Sequence, residues 1–201
     1  MTRWRRLSLV PFLFLLSPAQ GNASIIFSAT LTGDQEMTPT GSLATGFATL
    51  VLNDTMTALT YEISVTGLDF TGSQTADTID NLLAAHIHAP APPGLNAGVV
   101  FGFFGAPFND INPNDVVVTP FAMGIGGTIT GKWDLSEGNN TTLDLQLANI
   151  LAGNAYLNFH TVGFPGGEIR GQILPVPEPT TLVLLALTVA GVTRRCWQRR
   201  A

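Results

Sequence analysis

An antiparallel β-sandwich with one short helix is the fold class this chain predicts, and three observations carry it. Apolar residues alternate with polar ones over short runs, the period-2 signature of half-buried strands. Glycine and proline, 21 and 13 of 201 residues, punctuate those runs at close intervals. One stretch alone, Thr142 to Leu151, carries helical spacing that competes with alternation. Short strands, Gly/Pro turns and scarce helix are the pattern of sandwiches and barrels. A body of this size buries enough surface to stand without disulfides.

Ser24 to Leu31 is rich in β-formers and predicts a first strand, followed by a polar connection from Thr32 to Gly41. Gly46 to Leu52 and Ala58 to Val65 predict a hairpin across Asn53-Asp54-Thr55-Met56-Thr57, with Leu59, Tyr61, Ile63 and Val65 on one face and Gly67 as the stop. Asp69 to Asn81 reads as a polar loop. Leu82 to His88 predicts a fourth strand, broken by Pro90-Ala91-Pro92-Pro93-Gly94. Val99 to Phe104 predicts a fifth, at an edge or bulged because of Gly102. Val116 to Thr119 and Thr128 to Trp133 predict two more, with a flexible turn at Gly124-Ile125-Gly126-Gly127 between them. That turn lacks the following Lys-Ser/Thr of a phosphate loop. In Thr142 to Leu151, an N-cap threonine and Gly153 just beyond favour the helix. Tyr156 to His160 and Glu168 to Ile173 predict the last two strands, joined by Phe164-Pro165-Gly166-Gly167.

Charge and hydropathy set the two ends apart. From Ser24 to Leu174 there are thirteen Asp/Glu against two Lys/Arg, Lys132 and Arg170. Such a body is repelled by nucleic acid, whose binding depends on Lys/Arg meeting phosphate. The other basic residues sit at the ends. Arg3, Arg5 and Arg6 precede the apolar run Leu7 to Leu16, and small residues follow up to Ala23, so residues 1–23 read as a secretory signal peptide. At the far end Val176-Pro177-Glu178-Pro179 precedes an apolar run from Thr180 to Val192 and a basic close that includes Arg194, Arg195, Arg199 and Arg200. Basic clusters stay cytoplasmic, so the middle of the chain is expected outside the membrane. The single cysteine, Cys196, lies in this tail, so no disulfide is expected within the domain.

Residues 175–201 resemble the PEP-CTERM sorting tail of Gram-negative bacteria: a Pro-Glu-Pro motif, a hydrophobic helix and a basic end, here on Val176, Pro177, Glu178 and Pro179. That resemblance implies passage through the secretion machinery, a transient stay in the inner membrane, and cleavage by an exosortase. The product then reaches the cell surface or the extracellular matrix. Residues 24–174 carry Ala85-His86-Ile87-His88-Ala89-Pro90 and the long Ala155 to Ile173 stretch, Y-L-N-F-H-T…P-G-G-E-I-R-G-Q. On both pieces they resemble the CHRD domain, a module named from chordin and also found in bacterial secreted proteins. The CHRD pattern also carries the short helix.

His86, His88 and His160 are the three histidines of the chain. On a strand, His86 and His88 share a side and Ala85, Ile87 and Ala89 face the core; by the same parity Leu157 and Phe159 point in, and Asn158 and His160 point outward. If the two strands are neighbours, three imidazoles meet on one surface and offer copper or zinc three ligands with an open position. In order along the chain, His86, His88, His160 and Arg170 are similar to residues of copper/zinc superoxide dismutase, another antiparallel sandwich. Too few histidines remain for a bridging ligand and a zinc site, which excludes a bimetallic dismutase and leaves two readings: a site for a single copper or zinc ion, or histidines that hydrogen-bond backbone and loop groups to fix strand ends. A serine hydrolase is excluded too, since no G-x-S-x-G occurs. Asp69, Asp77 and Asp80 lack EF-hand spacing and read as a solvated acidic loop.

The leading expectation is therefore non-catalytic: an exported protein with a structural or binding role in exopolysaccharide, biofilm or matrix protein, with Phe101, Phe103, Phe104 and Phe108 as either candidate contacts or core residues. The alternative is a surface copper- or zinc-binding protein using His86, His88 and His160, with weak redox activity.

Overall fold

Alternation at the sequence level becomes one continuous antiparallel sheet. The computed structural model describes residues 23–177; residues 1–22 of the expected signal peptide, the hydrophobic helix, Glu178 and Pro179 lie outside them. The strands are β1 (Ile25–Thr32), β2 (Thr45–Leu52), β3 (Ala58–Thr66), β4 (Leu82–His88), β5 (Val99–Phe104), β6 (Val117–Pro120), β7 (Gly126–Asp134), β8 (Tyr156–Thr161), β9 (Ile169–Gln172) and β10 (Leu174–Pro175). A 3-10 turn (Gly33–Gln35) follows β1, and one helix, α1 (Leu143–Leu151), precedes β8. Their order across the sheet is β5-β4-β8-β9-β1-β2-β3-β7-β6, with β10 paired to β1.

The sheet curls so that one face closes on itself as a sandwich does. β5 stands at one end of the strand order and β3 and β7 near the other, yet their side chains touch. The Tyr61 ring on β3 lies 5.1 Å from Phe103 on β5, and Trp133 on β7 stacks on Phe101 at 4.8 Å. Phe27, Leu31, Leu50, Leu59, Ile63, Ile87, Leu157 and Phe159 fill the space between, all fully buried. Phe101 and Phe103 thus belong to the core rather than to a contact surface. Phe104 is half-buried, and Phe108, at 37 %, is the exposed one of the four. Burial of such rings is worth about 1.5–3 kcal/mol each, which is reason enough for the sequence to keep them.

In the ambiguous stretch the helix wins. Leu143 and Ile150 are buried and Leu147 packs on the core, whereas Leu145, which alternation would have turned inward, is 67 % exposed. Thr142 is extended at the N-cap, and its hydroxyl donates to the Asp144 carboxylate instead of capping the backbone. Gly153 turns the chain at φ +71°, a conformation that glycine adopts without strain. The two-residue β10 has no signature in the sequence. It holds the start of the tail against β1, and the Val176 N–H donates to the Ile26 carbonyl at 2.8 Å. Among the described residues no helix is long and apolar enough to cross a membrane.

Candidate metal centre

Strands β4 and β8 are neighbours, which brings the three histidines together. Their antiparallel register sets His88 opposite Tyr156, His86 opposite Asn158 and Ala84 opposite His160. Across β9 the same rows continue as Asn158 opposite Arg170 and Tyr156 opposite Gln172. Side-chain parity then divides the surface as the sequence predicts. Ala85, Ile87, Leu157, Phe159 and Ile169 face the core, and His86, His88, Tyr156, Asn158, His160, Arg170 and Gln172 share the other face.

That other face is not open to solvent, which corrects the outward placement of Asn158 and His160. His86, His88 and Asn158 are 4 %, 7 % and 3 % exposed, and His160 is half-buried. Loops fold over the face and reach it through their carbonyls. The Ala106 carbonyl lies 3.1 Å from His86 Nε2, that of Ala97 3.0 Å from His88 Nδ1, and that of Pro165 3.0 Å from His160 Nδ1. Gly102 lets the first of these loops close. A Cβ on it would fall 1.7 Å from the Pro107 carbonyl oxygen and 3.0 Å from the His86 ring, so any other residue would push the loop away.

A carbonyl only accepts, so each nitrogen beside one carries the ring proton. The lone pairs therefore sit on His86 Nδ1, His88 Nε2 and His160 Nε2, and all three are buried without a hydrogen-bond partner. One ring nitrogen from each of the three histidines lies within 4.8 Å of the others. Electrostatics keep the rings neutral. Burial, then the neighbouring His160 and His88, hold His86 down at about 4 against the pull of the Ala106 carbonyl. Burial lowers His88 to about 4 as well, with the Ala97 carbonyl opposing and His160 and Arg170 adding to the fall. His160 is lowered by burial and partly restored by the Pro165 carbonyl.

Beside the triad stand Arg170, which the sequence reading had set in order with the three histidines, and Tyr156, which it had not singled out as part of a site. Tyr156 stacks on the His88 ring at 4.9 Å and 7°, and the Arg170 guanidinium lies 3.4 Å above the Tyr156 ring. Arg170 is 1 % exposed; it donates to Asn96 Oδ1 and Gln172 Oε1, both at 3.3 Å. Among the described residues the ion pairs are those of Lys132 with Asp115 and Asp134, and Arg170 has none. Parity with His160 was the signal available for Tyr156. The acidic loop resolves differently from its sequence reading: Asp69 is buried, and its two carboxylate oxygens accept the backbone N–H groups of Thr71, Gly72, Gln74 and Thr75. Burial raises its pKa, but those four donors hold the carboxyl down at about 2. With both oxygens so engaged, Asp69 is a loop organiser.

Fold and ends together define an exported all-β domain with a sorting tail. The CHRD domain matches residues 27–173 and the PEP-CTERM protein-sorting motif residues 175–200. The chain belongs to the CHRD domain family, and its tail marks it for export across the membrane and processing by exosortase. No curated protein and no solved structure matches it.

Proposed function

We propose that the exported domain binds one copper or zinc ion through His86 Nδ1, His88 Nε2 and His160 Nε2, outside the cytoplasm, and that its role is binding rather than catalysis. Between the two readings of the sequence, the geometry favours the metal. The observation that carries it is the set of three buried lone pairs, each left free because a backbone carbonyl has taken the proton-bearing nitrogen of the same ring. Metal-bound histidines are oriented in this way by their other nitrogen. Neutral rings bind without first losing a proton, which the depressed pKa values supply. An ion held at about 2.0–2.1 Å requires ligand nitrogens roughly 3.4 Å apart, so binding would draw the three rings closer than the 4.8 Å within which one nitrogen of each now lies. The sorting tail supports placement at the cell surface or in the surrounding matrix, where exopolysaccharide and matrix proteins are the neighbours.

The test is metal content. The full chain, expressed with its own end signals, is loaded with copper or zinc, freed of loose ion by gel filtration and analysed by mass spectrometry. One ion per chain is expected, falling to a small fraction in His86→Ala. A parent that stays well below one ion with both metals sinks the reading.

A further inference from the structure

Strands β1, β2 and β10 share an apolar corner that the metal site does not use. Pleat parity turns Phe27 and Leu50 inward and turns Ile26 and Val51, which pair across β1 and β2, outward. On the other flank of β1, β10 brings two more apolar side chains. Leu174 stands opposite Ser28, and Val176 follows beside Ile26, whose carbonyl accepts its N–H at 2.8 Å. Ile26, Leu174 and Val176 are 44 %, 49 % and 42 % exposed, and Val51 is half-buried. Their neighbours on this face are Ser28, Thr49 and Thr60, a rim of uncharged hydroxyls.

The course of the chain says what covers this patch. Val176 opens the sorting motif, and the apolar run begins at Thr180, four residues on. Four residues reach at most about 14 Å when fully extended. The headgroup layer on each side of the hydrocarbon is roughly 5–8 Å deep. With the apolar run seated in the bilayer, Val176 and the side chains around it are therefore held at or just above the headgroups, whatever path the intervening residues take. Ile25, where β1 begins, lies at the same corner, so both ends of the domain leave it on this side. Four part-covered apolar side chains bind a bilayer weakly on their own, as a single short lipid chain does. The tail keeps the surface at high effective concentration, and a weak patch is then enough to orient the domain.

We infer that, while the tail is in the membrane, the domain rests on the bilayer surface through Ile26, Val51, Leu174 and Val176. This goes beyond the metal reading and does not depend on it. It also fixes which way the metal site faces. The inner faces of the two layers meet where Tyr61 of β3 packs on Phe103 of β5, so their outer faces point away from each other. The histidine face of β4 and β8 is thereby turned from the lipid towards the surroundings.

Fluorescence of the full chain in vesicles tests this. In a Cys196→Ser background, which leaves no other thiol, a polarity-sensitive fluorophore is attached at Ile26→Cys or, on the far edge of the same face, at Thr119→Cys. The chain is reconstituted into phosphatidylethanolamine–phosphatidylglycerol vesicles, with and without lipid that carries a headgroup nitroxide. The probe at 26 is expected to shift to the blue and to lose most of its emission to the nitroxide; the probe at 119 should do neither. Equal quenching at both positions, or none at either, overturns the inference. So does a blue shift at 26 without quenching, which would put a second copy of the chain on the patch. A probe at Leu174→Cys separates contact from tethering. Adding Ile26→Asp, at a side chain that points outward, should reduce its quenching, and unchanged quenching would mean that the tail alone holds the corner there, which also overturns the contact.

Discussion

Strands β2 and β3 and strands β4, β8 and β9 belong to one sheet and read alike in sequence, yet they end in opposite surroundings. In β3, Leu59, Tyr61, Ile63 and Val65 are buried while Thr60, Glu62 and Ser64 between them are exposed. In β4 and β8 both parities are buried, and in β9 every residue is. The difference lies above the sheet. Over the second half, the segments around Glu36, Ala97, Ala106 and Pro165 cover the polar face and anchor to it through carbonyls and side chains. A face that is exposed in one half is, in the other, covered by loops, with imidazoles, an amide and a guanidinium buried beneath them. Alternation identifies which parity is core; whether the opposite parity meets water depends on loops far away in the chain.

That comparison is sharpest where the two halves are perturbed separately. The largest effect belongs to the shared core. Trp133 is fully buried, stacks on Phe101 and donates its indole N–H to the Glu137 carbonyl at 2.7 Å. Trp133→Ala should cost about 3–5 kcal/mol in chemical denaturation, while the fraction still folded binds metal as the parent does. Loss of metal from well-folded Trp133→Ala would mean that the two halves are coupled in a way the division denies.

Acid comes next and attacks the dry half. His86 and His88 titrate at about 4 in the folded protein against 6.5 for a free imidazole. The unfolded chain therefore takes up more protons between those values, and the ion-free protein loses stability as the pH falls from 6.5 towards 4. Each such histidine contributes a slope of up to about 1.4 kcal/mol per pH unit. His86→Gln should flatten the profile by that share, read from denaturation curves across the window. Identical slopes in parent and variant would show that His86 is not held neutral in the fold.

The smallest effect is expected on the wet face of β3. Glu62 points away from the core and is exposed, so Glu62→Ala should move stability by no more than about 0.5 kcal/mol. A loss of several kcal/mol there would erase the contrast between the halves.

Much of this was legible in the chain, because strand periodicity and turn chemistry are local. Leu82 to His88 and Val99 to Phe104 could be bounded to the residue: Pro90 and the Gly105 turn (φ +66°) close them off. The parity argument for His86, His88 and His160 used nothing beyond the alternation of a pleated strand. What failed was the inference from parity to exposure. It put Asn158 on the surface, and the sequence left Phe101 and Phe103 open between a contact and the core role they have, because coverage by loops and the curl of the sheet are long-range facts.

By itself, then, the sequence determined the sorting motif at the C-terminal end, the all-β class, and which side of each strand the histidines take. These follow from residue type and from a period of two. Only the tertiary structure decided that β4 and β8 are partners, that loops roof the polar face, and that each imidazole has one nitrogen tied to a carbonyl and the other left free. Strand adjacency and burial are set by packing between distant segments, where the gain from closing a core outweighs any preference of a residue for its neighbours in the chain.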